Sequence, residues 1–187
     1  MFDTQNKIGH AGIRSAYYSA AFILQRMLAD QEDIDPYEIE IADIQKFVKD
    51  DYKVGEIILT DELPNGSGFV RRLYESTEEY IEKVIDHEYK ENYIGIIKSE
   101  EHLENCKDAC YSCLKIYRNM NYHGLLDWRL GISLIRVLSD PDYSLGAEDG
   151  DFSSFYELKD FITYNHLLSK NFAESFKLEK LDESQYL

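Results

Sequence analysis

Residues 106 to 128, CKDACYSCLKIYRNMNYHGLLDW, gather every cysteine of the chain, a histidine, two aspartates and the only tryptophan. Side chains of these types do one of three things. They hold a metal, they arm a nucleophile, or they pack as small hydrophobes in a core. The cysteines follow C-x3-C and C-x2-C spacing. On an unbroken helix Cys106, Cys110 and Cys113 share a face, so a buried stripe of reduced thiols is geometrically available.

A shared metal makes a stricter demand. Along a continuous helix the outer cysteines stand about 10 Å apart at ~1.5 Å rise per residue. Thiolates on one tetrahedral zinc, each about 2.3 Å from it, lie within roughly 4 Å of one another. A zinc site therefore requires a break, with Cys106 outside any helix and a helix starting at or after Cys110. There a helix N-terminus favours thiolates. The fourth position falls to His102, four residues before Cys106, to His123, across LKIYRNMNY, or to water or a distant group.

The nucleophile alternative is a cysteine-dependent hydrolase, with one cysteine such as Cys113 as thiolate, His123 as base and Asp127 as its orienter one helical turn on. A second candidate lies in GEIILTDELPNGSGFVRR. A strand, a loop bearing Gly66 and Gly68, and a helix start carrying Arg71 and Arg72 form a possible anion cradle on backbone N–H groups. Asp61 and Glu62 at the strand end offer nuclease-type acid chemistry. No Gly-Lys-Ser/Thr occurs, so this is not a nucleotide-binding P-loop. The plainer reading is a tight turn with two surface arginines.

These residues need elements to hold them. Ala16, Ala20, Ile23, Leu24, Met27 and Leu28 recur at helical spacing over residues 12 to 29. YEIEIADI alternates as a strand does, and VGEIILTDE supplies a β-branched run bounded by polar residues that also reads as a strand. FVRRLYESTEEYIEKVIDHEY resumes a helical period, with an acidic solvated face that suits a basic partner. Further helices are expected near the cysteines, over GLLDWRLGISLIRVL and, after a turn at SDPDYSLGAEDGD, over FSSFYELKDFITYNHLLSKNFAESF with Asp151 or Ser153 as N-cap. The fold class is α+β, mostly helical, a single domain over residues 1–187 with a small β-sheet and a cysteine-bearing knuckle.

Charge narrows the function. Thirty-six acidic against twenty basic residues give a net charge of −16, which repels a phosphate backbone. Nucleic acid is expected only indirectly or through a local basic patch. No apolar run reaches the roughly 18 residues of a membrane span, and the best candidate, SAYYSAAFILQRML, lacks the charged start and small-residue cleavage site of a signal peptide. A cytoplasmic protein is expected, and three clustered, odd-numbered cysteines suit that compartment.

With ENCKDACYSCLKIYRNMNYHGLLDWRLG, AYYSAAFILQRMLADQEDIDPYEIEIADI and GEIILTDELPNGSGFVRRLYE in view, the chain resembles the MrfA-like zinc-binding domain family, found at the C-terminus of DEAD/DEAH-type helicases. Within it the likeness is closest to the DrmB-type proteins of the DISARM anti-phage system, over about residues 12 to 175. The resemblance implies Zn2+ as cofactor on Cys106, Cys110 and Cys113 and leaves the fourth ligand open between His102 and His123. It also implies a helicase, translocase or other defence-system subunit as partner. The chain carries no helicase ATP-binding loop, so a non-catalytic accessory module is expected, as a stand-alone copy or a fragment of a larger protein.

Overall fold

The computed structural model describes residues 11–49, 52–63, 66–86 and 92–139. The expected turn after residue 139 and the closing helix with its Asp151 or Ser153 cap lie outside these residues. The architecture is α+β: six α-helices and one two-stranded sheet among the described residues.

Helix α1, Ala11–Gln31, is the spine. Its Ala16, Ala20, Ile23, Met27 and Leu28 are all buried, as their spacing requires. It packs against α6, Trp128–Ser139, whose Leu130, Ile132, Leu134 and Ile135 are buried too. The two helices cross closely because small residues meet there. A Cβ on Gly131 would stand 2.8 Å from Ile23 Cδ1, from Ser19 Cβ and from the Ser19 backbone carbon.

A 3-10 turn, Pro36–Glu38, capped by the Asp35 carboxylate, leads into the hairpin. Strands β1, Ile39–Lys49, and β2, Tyr52–Asp61, pair antiparallel from Ile39 opposite Asp61 to Lys49 opposite Tyr52. The register shifts between Ile41 and Asp43. The extra residue flips the strand's alternation, so buried Ile44 stays on the core side with Ile39 despite the odd-to-even change in number.

The helical run read from residue 69 is broken in two. Helix α2, Phe69–Glu75, and α3, Thr77–Ile85, meet at Ser76, whose φ of −123° and ψ of 28° leave the helix. The Thr77 hydroxyl donates to Leu73 O at 2.8 Å and competes with the backbone ladder. Tyr80 and Val84 point into the core, while Glu75, Glu78, Glu79 and Glu82 form the exposed acidic face. Helices α4, Asn92–Lys98, and α5, Glu100–Asn105, follow, separated by the N-cap Ser99. A 3-10 segment, Tyr117–Tyr122, then joins the cysteine loop to α6. No helix among the described residues is long and apolar enough to cross a membrane.

Candidate metal centre

Helix α5 delivers the first site residue. The Ser99 hydroxyl caps it by accepting from His102 N, which places His102 in the only full turn before the helix ends. Cys106 terminates it in extended conformation, its N–H bonded to His102 O at 2.8 Å. Cys106 is thus outside a helix, as a shared ion demands.

The chain then doubles back. Lys107 to Ala109 lead into a turn, with Cys113 N and Lys115 N both donating to Cys110 O at 3.2 and 2.9 Å. The expected helix start at Cys110 is absent: residues 110–116 are turn and loop. Two Gly-free residues between the cysteines suffice to close this turn, and the sulfur receives its N–H from the loop itself. Cys110 N donates to Cys113 Sγ at 3.0 Å, so one backbone dipole supplies what a helix end was expected to provide.

The result is one cluster. Ligand atoms of His102, Cys106, Cys110 and Cys113 all lie within 4.8 Å of one another. Cys106 Sγ and Cys113 Sγ are 3.8 Å apart and unbridged, the edge of a tetrahedron of thiolates about 2.3 Å from zinc. His102, Cys106 and Cys113 are buried and Cys110 is half-buried.

The histidine supplies the fit test. His102 Nδ1 lies 2.9 Å from Ile97 O. A carbonyl only accepts, so Nδ1 carries the proton and Nε2 keeps the lone pair. That Nε2 is buried without a hydrogen-bond partner, an arrangement costly unless a ligand fills it. A backbone carbonyl on the far nitrogen is how metal-binding histidines are oriented. The four donors, three sulfurs and one imidazole nitrogen, suit Zn2+.

Electrostatics agree. Hydrogen bonding with Cys106 lowers the Cys113 pKa, with the Cys110 N–H adding to the effect against the cost of burial. The same contact, with burial, raises Cys106. Behind the cluster, Trp128 Nε1 and Arg129 Nη2 each donate to Cys106 O at 3.4 Å.

Other sequence candidates stand elsewhere. The His123 ring does not join the cluster: Nε2 faces Ile116 O at 3.1 Å and Asn119 Oδ1 at 2.9 Å, and Tyr111 lies edge-on to the ring. Asp127 Oδ1 caps α6 by accepting from Arg129 N at 2.9 Å, and Asp127 N donates to Ser19 Oγ at 2.8 Å. His123 sits in a turn and Asp127 just before α6 rather than on one helix, so the thiolate, base and orienter are not assembled. The anion cradle is filled from within. Asp61 accepts from Gly68 N at 2.8 Å and Val70 N at 3.0 Å, while Arg71 pairs with Glu75 and Arg72 with Glu32. Gly66 and Gly68 take positive φ there, as a tight turn requires. Glu62, the other acid, pairs with Arg118. The supporting roles of Ile97 O, Trp128 and Arg129 carry no spacing signal; only Trp128, inside the opening stretch, stood out by its residue type.

No curated protein and no solved structure matches the chain. A family model does, over residues 7–114. The match ends one residue after Cys113 and so takes in His102 and all three cysteines, but stops well short of the span read from the sequence. With more than half its length matched, and with a cluster of one histidine and three cysteines compatible with Zn2+ inside the match, the chain belongs to the MrfA Zn-binding domain family.

Proposed function

We propose that this zinc-binding chain is a non-catalytic accessory module that works with a helicase or translocase in anti-phage defence or DNA repair. The observation that carries the structural part is His102, its Nδ1 tied to Ile97 O and its bare Nε2 set among three sulfurs. Four ligands drawn from one twelve-residue segment, 102 to 113, make a staple that closes a loop and adds binding energy to folding.

The absence of an assembled acid–base pair at the cysteines, among the described residues, favours stapling over hydrolysis. The helicase part rests on the resemblance of the cysteine and glycine-loop motifs to helicase-associated domains. The exposed acids of α2 and α3 provide a surface for a basic partner.

Two measurements test this. Elemental analysis of the purified full chain is expected to find one zinc per chain, and a chelator is expected to lower the melting temperature. Three freely reactive thiols without zinc sink the metal reading. Co-expression with a helicase encoded beside the gene is expected to yield a complex that survives gel filtration and a changed ATPase rate. Zinc-loaded protein that leaves that helicase unbound overturns the accessory role alone.

A further inference from the structure

A cavity of about 390 Å³ opens between α1, the start of the hairpin and the Tyr117–Tyr122 segment. None of the four metal-cluster residues lines it. Its walls are aromatic: Tyr18 stacks on Tyr122 with centroids 4.5 Å apart, and Phe22 tilts against the same ring at 5.9 Å.

Gln25 lines it too, with 5% of its surface exposed. Its Nε2 donates to Ile39 O at 2.6 Å. That bond fixes which way the amide faces, since a carbonyl cannot donate. Oε1 is left buried and without a hydrogen-bond partner among the described residues. Asn119, also in the lining, has no such vacancy: its Oδ1 accepts from Ile116 N and its Nδ2 donates to Leu114 O. An unpaired buried acceptor is costly and awaits a donor.

The rim is acidic. Glu40 and Glu62 line it, against Arg118 as the only basic residue in the lining. Arg118 already shows what the rim accepts: its guanidinium lies over the Tyr37 ring at 4.5 Å and bonds Glu62 at 2.9 Å. Acceptors and ring faces together complement a planar cation with several N–H groups. Lysine lacks the plane and the fork.

We propose that this pocket receives an arginine side chain of a basic protein partner, its guanidinium packed against the aromatic wall and donating to Gln25 Oε1 and a rim carboxylate. This names a contact for the partner docking proposed above and does not depend on the metal. A nucleobase amine would meet the same acceptor, but the carboxylates and the chain's net charge of −16 oppose the phosphates that come with it.

Fluorescence anisotropy on the zinc-loaded full chain decides it. The probes are a fluorescein-labelled arginine–glycine peptide, its citrulline counterpart, and a short labelled single-stranded DNA. The arginine peptide is expected to bind and the citrulline peptide and DNA to fail. Glu40→Gln is expected to weaken binding roughly tenfold. Arg118→Gln, which removes the resident competitor, is expected to strengthen it. Glu78→Gln, on the exposed face of α3, is expected to change it less than twofold, about 0.4 kcal/mol at 1.4 kcal/mol per tenfold.

Equal losses in Glu40→Gln and Glu78→Gln overturn the proposal in favour of diffuse acidity. Undiminished citrulline binding, or tighter binding of the DNA, overturns it as well. Zinc content of the same preparations reads the metal site separately, so failure of either reading is recognisable on its own.

Discussion

The indole of Trp128 tilts against the imidazole of His102, ring centroids 5.4 Å apart at 58°, while its Nε1 donates to Cys106 O at 3.4 Å. One fully buried side chain at the start of α6 therefore steadies two metal-cluster residues from a different part of the chain. Trp128→Ala is expected to cost about 3–5 kcal/mol of stability and to weaken zinc binding about 10- to 100-fold. Trp128→Phe, which keeps an aromatic ring and loses the donor and part of the buried volume, is expected to retain zinc with a smaller loss. Denaturant titration beside a competitive chelator assay reads both.

The two histidines next to the cysteines are expected to separate cleanly. His102→Ala removes the only imidazole in the cluster and is expected to yield protein with little or no zinc and no response of its melting temperature to chelator. His123→Ala breaks contacts to Ile116, Asn119 and Tyr111, none of them in the cluster, and is expected to cost about 1 kcal/mol while zinc stays at one per chain. Zinc loss in His123→Ala, with retention in His102→Ala, would reassign the fourth ligand.

Glycine in a helix interior is ordinarily a liability, and alanine stabilises by roughly 1 kcal/mol. At Gly131 the sign is expected to reverse. The added methyl would lie 2.8 Å from Ser19 backbone in α1, and backbone does not yield as a side-chain tip does. Gly131→Ala is expected to destabilise by about 1–3 kcal/mol, read as a lower denaturation midpoint at unchanged m-value. A stabilised variant would show that α1 and α6 have room to part.

Burial pushes the Asp127 carboxyl up to about 7, against the opposing pull of Arg129 and the N–H groups of Arg129 and Leu130, with Asp108 adding slightly to the rise. A carboxyl that binds its proton more tightly folded than unfolded contributes most stability below its unfolded pKa. That contribution falls as pH rises from about 4 through 7, then levels off. Asp127→Asn keeps an N-cap acceptor without the titration. Wild type is expected to lose about 1 kcal/mol relative to Asp127→Asn between pH 6 and pH 8. Parallel stability curves for the two proteins would show the carboxylate to be solvated.

Asp61 closes the glycine loop from inside, so Asp61→Ala is expected to cost about 1–3 kcal/mol by stranding the Gly68 and Val70 N–H groups. Inorganic phosphate is expected neither to bind the wild type measurably nor to protect it thermally. A phosphate-dependent rise in melting temperature of the wild type would restore the loop as an anion site.

Much of this molecule is written in local pattern. The 3.6-residue recurrence of Ala16, Ala20, Ile23 and Met27 determined α1, because periodicity reports directly which face meets the core, while alternation around Ile39 and the β-branched run around Ile57 marked the two strands. For cysteines that share one zinc, the spacing required Cys106 to stand off any helix, since rise per residue sets the distance between sulfurs.

What spacing leaves open is direction. His102 and His123 are both near the cysteines in sequence. Only the fold turns Nε2 of the first toward three sulfurs and anchors the second on Ile116 and Asn119. The carbonyl of Ile97 has no side chain to announce it, and the Ser76 break that splits α2 from α3 is a contest between one hydroxyl and the helix ladder. The sequence by itself determined α1, the two strands and the donor types. Tertiary structure decided which donors face one another, because that depends on long-range packing, such as α6 against α1 and Trp128 against His102, that no local period encodes.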